Sequence, residues 1–353
     1  LHHEFCGAGD TATAVKHPGA FLMRVHVFPL FLFIVVLLVI VTKCISAARD
    51  RKAQDRQFAA YLAAEPVDTV WRGWNHYQIP QNTDSGRLIR YGYELIANTA
   101  YYLGPKGVVA QVTNGMNCQN CHLEAGTVPY GNNFGKVYAT YPQFRARNNG
   151  IQTIYGRIND CFQRSLNGKA LDTNSREMKA IYAYIRWLGD GIPKNVVRGG
   201  TGIAKLPYPD RAADPAAGEK IYQLNCSACH GANGEGVLNA AGTAYTYPPL
   251  WGPHSYNDGA GLYRLSNFAG FVKNNMPFGT TYHAPRLTNE EAWDLAAFVN
   301  SRPRPHKDQR EDWKNISRKP IDFPFGPYAD TFSERQHKYG PFQPISDARK
   351  NRH

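Results

Sequence analysis

The 353-residue chain is poor in cysteine, with seven, and in methionine, with four, and it has a single long apolar run. Seven cysteines are too few for a disulfide-rich scaffold. One apolar run and a mean hydropathy of −0.46 exclude a polytopic membrane protein. Acidic residues are also scarce: 28 face 40 lysines and arginines, a net charge of +12. A basic balance admits nucleic-acid binding, so the placement of the charge has to decide. What is present fits a globular protein of one to three domains, 43% hydrophobic and 19% charged.

The apolar run extends from Val25 to Val41 without one Asp, Glu, Lys or Arg. At about 17 residues it sits at the lower limit for a spanning helix. Arg24 precedes it, and Lys43 and the small residues Ser46, Ala47 and Ala48 follow, the pattern of a secretory signal. Met23 is a candidate start. A cleaved signal and an uncleaved anchor both remain open, and either puts the rest of the chain outside the cytoplasm. Lys43 before Cys44 argues against a bacterial lipoprotein, where a small residue is expected. Residues 1–48 form this leader, and nearly all the excess positive charge lies beyond it.

The cysteines sort themselves by position. Cys6 and Cys44 lie in the leader. Four others form two CxxCH motifs, Cys118-Gln-Asn-Cys121-His122 and Cys226-Ser-Ala-Cys229-His230. Cys161 is left without a partner. Two thiols three residues apart reach the two vinyl groups of one porphyrin, and the following imidazole becomes the proximal iron ligand. The pattern predicts two covalently bound haem c groups, on Cys118, Cys121 and His122 and on Cys226, Cys229 and His230. A shared zinc ion is disfavoured, because each motif sits in its own complete repeat.

In the second repeat, Asp214-Pro215 opens a helix carrying Gly218, Ile221 and Tyr222, and the haem motif follows. Met276-Pro277 comes later, and Thr288 to Glu291 caps a closing helix with Leu295 and Val299 on one face. The first repeat presents Gly92, Leu95 and Ile96, its motif, then Cys161, then Met178, Ile181 and Ile185. About 18 extra residues, Thr99 to Met116, read as a surface insertion. This order resembles class I cytochrome c. It implies a mainly α fold of two such domains in tandem: a first at 49–189 with an N-terminal extension, a linker at 190–213, a second at 214–302, and an irregular tail at 303–353.

Met276 is the expected distal ligand of the second haem, where a thioether raises the potential. Met116 lies too close to its motif to reach the distal face, and Met178 belongs to an apolar stripe. The residue of the first repeat that aligns with Met276 is Cys161, a thiolate donor that would lower the potential. Arg145, Arg147, Arg157 and Arg164 surround it in sequence, with Arg157 and Ser165 one helical turn to either side. Cations near a thiol lower its pKa, and guanidinium groups hold oxyanions bidentately. The cluster predicts a small anionic substrate. Nucleic acid is excluded for an exported dihaem protein.

The sequence GRINDCFQRSLNG after the first motif, NNMPFG after the second, and the tail GPYADTFSERQHKYGPF resemble the dihaem thiosulfate dehydrogenases from Trp71 to about Pro344. These are periplasmic cytochromes that join two thiosulfates into tetrathionate, some also running the reverse. The resemblance implies that the haem held by His122 and Cys161 is catalytic and the haem held by His230 and Met276 is the electron exit. It implies substrate contacts at Arg147, Arg157 and Ser165 around Cys161, and a soluble c-type cytochrome or similar acceptor. Some relatives are thought to exchange the methionine for a neighbouring lysine, but here the nearest is Lys273. Two rivals are weighed against this reading. One is a dihaem electron carrier serving a terminal oxidase, which would carry methionine on both haems. The other is the cysteine-ligated subunit of the sulfur-oxidising cytochrome complex, against which the fused methionine-bearing repeat argues.

Overall fold

Side-chain caps open most of the main helices, and those at Asp214 and Thr288 stand where the sequence predicts them. The structure is a computed structural model that describes residues 38–46, 48–49, 52, 70–71 and 73–351. Most of the apolar run from Val25, with Met23 and Cys6, lies outside the described residues. Among the described residues no helix is long and apolar enough to cross a membrane. Residues 1–64 and 65–353 form separate units, and both CxxCH motifs belong to the second.

Helix α1 (Asp84–Ala97) starts where the Thr83 hydroxyl accepts from the Gly86 N–H. A two-stranded antiparallel hairpin follows, β1 (Gln143–Arg145) and β2 (Gly150–Gln152), with Phe144 opposite Ile151. Helices α2 (Ile154–Arg164) and α3 (Arg176–Leu188) are capped by Thr153 and Ser175. Helix α4 (Pro215–Asn225) begins at the Asp214 cap with proline in its first turn. A second hairpin, β3 (Val237–Leu238) and β4 (Tyr245–Tyr247), precedes α5 (Leu265–Asn275). The predicted capping box, Thr288 with Glu291, opens α6 (Asn289–Ser301). The tail is mostly irregular but carries α7 (Glu334–Tyr339) and α8 (Gln343–Lys350).

Two cores result. The first gathers Leu95, Ile96, Phe162, Met178, Ile181 and Ile185 from α1, α2 and α3. The second gathers Tyr222, Trp251, Phe268, Trp293, Leu295 and Val299, and the tail adds Ile321, Phe342 and Ile345. In each repeat a glycine lets the first helix cross the closing helix at backbone contact. A Cβ on Gly92 would meet the Ala180 carbonyl oxygen at 2.0 Å, and one on Gly218 would meet that of Asp294 at 2.0 Å. Both glycines and both carbonyls correspond under the repeat. Backbone cannot yield as a flexible side chain can, so Gly218→Val is expected to destabilise the holoprotein by about 3 kcal/mol. Gly261, whose Cβ would meet nothing within 4 Å, should tolerate alanine within about 0.5 kcal/mol. Thermal unfolding of the two variants checks the contrast.

One expectation is corrected. Residues Thr99 to Met116 are a surface insertion only in their middle: Tyr101, Val108 and Val109 are exposed, while Thr99, Ala100, Leu103 and Met116 at the two ends are buried. Thr99 is held to α1 through the Leu95 carbonyl, and its hydroxyl accepts from the Cys118 N–H at 2.9 Å. Asn117 accepts from the Ala100 N–H. The segment is anchored because it fixes the start of the first haem motif.

Candidate functional site

The first motif lies against α2. Cys118 and Cys121 line a narrow apolar gap with Met116, Phe134, Ile158, Phe162 and Leu166, and His122, Cys161 and Ser165 border the same space. Neither motif thiol is in a disulfide. Burial pushes both thiols up to about 12, so as free groups they would be inert. The His122 ring packs on Phe134 with centroids 4.4 Å apart. Its Nδ1 faces the Asn132 carbonyl, which can only accept, so that nitrogen carries the proton and Nε2 keeps its lone pair. Burial lowers its pKa to about 4, which keeps the imidazole neutral. Two unpaired, partly buried thiols and a metal-ready imidazole in an apolar slot fit a covalently attached porphyrin.

The second motif repeats this chemistry. His230 Nδ1 donates to the Pro248 carbonyl at 2.8 Å, and burial lowers its pKa. Burial pushes Cys226 up to about 12. Met276 follows α5 directly and packs against the second core. Lys273 is engaged elsewhere, its ammonium donating to the Leu287 carbonyl. Arg304 lies 4.4 Å from the ring centre of Tyr256 and 5.0 Å from that of Tyr263. Its Nε and Nη1 are buried without a protein acceptor, which suits the carboxylates of a haem. The residues of both motifs fit the cofactor the sequence predicts.

Cys161 is half-buried on α2. One turn earlier, Arg157 donates from Nη1 to its Sγ at 3.3 Å. The Cys161 sulfur is the main reason the Arg157 pKa is raised, against the effect of burial. Ser165, one turn later, ends the helix and borders the same gap. The arginine cluster seen in sequence therefore splits. Arg157 stays with the thiol. Arg147 and Arg164 turn to the tail, where Asp312 lies 3.8 Å from Arg147 Nε and 2.8 Å from Arg164 Nη2. Arg147 also lies over the Trp313 ring at 5.4 Å. Burial, reinforced by Arg164, lowers the Arg147 pKa to about 10 despite Asp312.

A cavity of about 800 Å³ joins these parts, within the range of cofactor and substrate sites. His122, Cys161 and Arg157 line it, together with Lys136, Arg145 and Lys205. Arg147 is not among its lining residues. Sequence reasoning missed Lys136, Lys205 and Asp312. The stretch around Lys205 read as a linker, yet Gly202 to Tyr208 form part of the cavity wall. Another cavity, of about 860 Å³, is walled by tail residues between His306 and Pro327 and contains no motif residue.

Comparison with known proteins divides the chain as its two cores do. Residues 109–193 match the SoxA/TsdA cytochrome c domain, and residues 215–303 match cytochrome c. Over 55% of its length the chain is 44% identical to the thiosulfate dehydrogenase of Allochromatium vinosum, covering 72% of that protein. It is 40% identical to the enzyme of the same name from Psychrobacter arcticus, over 65% of this chain and 68% of that one. Among solved structures it resembles the thiosulfate dehydrogenase TsdBA from Marichromatium purpuratum, with a TM-score of 0.63 and 33% identity. That match covers 73% of this chain and 54% of the other.

Proposed function

The chain belongs to the thiosulfate dehydrogenase family, and from that premise we propose that it joins two thiosulfate ions into tetrathionate at Cys161. The observation that carries the reading is the Arg157–Cys161 contact of 3.3 Å in the cavity that also contains His122. Cys118, Cys121, His122 and Cys161 would hold the catalytic haem, and Cys226, Cys229, His230 and Met276 the second. Bound haem supplies the one-electron acceptors that the reaction needs.

The protein's own groups do the rest. Thiosulfate is a dianion, and the Arg157 guanidinium is fixed beside the thiol to receive its sulfonate oxygens. The Ser165 hydroxyl at the end of α2 can donate a further hydrogen bond. This orients the terminal sulfur of the substrate towards Cys161 Sγ. Two such sulfurs form one S–S bond, and two thiosulfates become one tetrathionate and two electrons. Apolar walls from Ile154, Ile158 and Ile185 in the same cavity limit the access of water. His230 and Met276 would hold the group that passes the electrons to an external acceptor, a soluble c-type cytochrome or a protein like it. The site operates in the periplasm, reached by a cleaved signal or an N-terminal anchor.

Purified holoprotein with thiosulfate and ferricyanide is expected to reduce the ferricyanide and yield tetrathionate. Tetrathionate with a reduced viologen tests the reverse direction. Silence in both assays would favour a simple electron carrier.

A further inference from the structure

We propose that Lys136, Arg145 and Lys205 form a second anion subsite, which holds the thiosulfate that reacts with the one bound at Arg157. The inference rests on the proposed reaction, which must bring two dianions to adjacent positions. Arg157, the one arginine left beside Cys161, cannot neutralise both. The same cavity continues from Cys161 and Arg157 to Lys136, Arg145 and Lys205.

Two stretches of chain bring these cations together, Lys136 and Arg145 on the first and Lys205, 60 residues after Arg145, on the second. Lys136 is half-buried and follows Phe134, the residue packed on His122. Arg145 ends β1. Lys205 comes from the stretch after Gly202, whose N–H donates to Asn133 Oδ1 at 3.2 Å. Gly202 has a φ of +75°, and a Cβ there would stand 3.2 Å from Lys136 Nζ. The backbone thus closes on the ammonium without a side chain between them.

No acidic side chain among the described residues neutralises the group. Among the described residues, the ion pairs include Arg147 and Arg164 with Asp312, Arg211 with Asp294, and Arg264 with Asp322. None includes Lys136, Arg145 or Lys205. Burial lowers the Lys136 pKa, and Lys205 and Arg145 lower it further. Like charges held together without a counter-charge cost free energy that a bound anion recovers. Clustered oxyanions are the matching chemistry, and thiosulfate and a haem carboxylate both present them.

The test separates the two. In the holoprotein, the double variant Lys136→Gln, Lys205→Gln and the single variant Arg145→Gln are compared with wild type across thiosulfate concentrations. The midpoint potentials of both haems are measured on the same samples. The expected result is a KM for thiosulfate raised about ten-fold or more, the loss of one charged hydrogen bond. The potentials and haem absorption stay unchanged, and Lys136→Arg retains the wild-type KM. An unmoved KM overturns the subsite. So does a shifted potential of the first haem with KM unchanged, which assigns the cations to a haem carboxylate. Wild-type protein that does not oxidise thiosulfate at all overturns the underlying reaction instead.

Discussion

Replacing Cys161 by glycine is expected to abolish tetrathionate formation while both haems stay attached. The loss should reach about 10³-fold or more, the scale for removing a reacting nucleophile. The two properties separate because Cys161 lies outside both CxxCH motifs. It stands half-exposed on α2, while Ile158 and Phe162 carry that helix into the first core. Removing one thiol therefore leaves the packing of the helix in place. Cys161→Met tests a sharper point. It keeps a sulfur that can face iron but removes the group that engages thiosulfate and accepts from Arg157. It too should fail in turnover. Haem content per chain and steady-state thiosulfate oxidation are the two measurements. Substantial activity in either variant would remove Cys161 from the chemistry.

Asp312→Ala is expected to be the most damaging single change in the tail. The carboxylate sits between Arg147 and Arg164, and the side chains of all three are nearly buried, at 8%, 13% and 9% exposure. Removing one partner of a buried ion pair leaves an uncompensated charge, at a cost of about 3–5 kcal/mol. Here two guanidinium groups lose the same partner. Arg164 keeps Asp160 at 3.9 Å from its Nε, whereas Asp312 is the only acid paired with Arg147 among the described residues. The tail would also lose its hold on the first repeat, where the Trp313 N–H donates to the Arg147 carbonyl. Thermal unfolding of the holoprotein measures the effect, and Asp312→Asn should fall between wild type and alanine. A shift within about 0.5 kcal/mol would place Asp312 among ordinary surface residues.

These two residues also mark how far the sequence could be read. The haem motifs, the helix starts at Asp214 and Thr288, and the glycines of α1 and α4 were legible, because each is a local pattern with one physical purpose. The repeat also suggested that Cys161 corresponds to Met276; the first lies within α2 and the second directly after α5. Asp312 was not legible, because its meaning depends on a contact with arginines about 150 residues earlier and no periodicity marks it. The same reason hides Lys205, whose segment has the composition of a linker. Thr99 to Met116 was legible only in part. Extra length relative to the second repeat suggested surface, which holds for Tyr101, Val108 and Val109, but Leu103 and Met116 fill core space and Thr99 bonds to the start of the first motif. The arginines around Cys161 looked like one cluster because sequence distance cannot show which way a side chain turns. The tail carboxylate draws two of them away, leaving Arg157 at the thiol.

A single turnover without external acceptor tests the central claim most directly. Fully oxidised holoprotein is mixed with excess thiosulfate, and haem reduction and tetrathionate are counted in the same sample. Two electrons per tetrathionate and two one-electron centres predict one tetrathionate per chain, with both haems reduced, and none from Cys161→Gly. Haems that stay oxidised, or reduction accompanied by sulfite or sulfate in place of tetrathionate, would contradict the account.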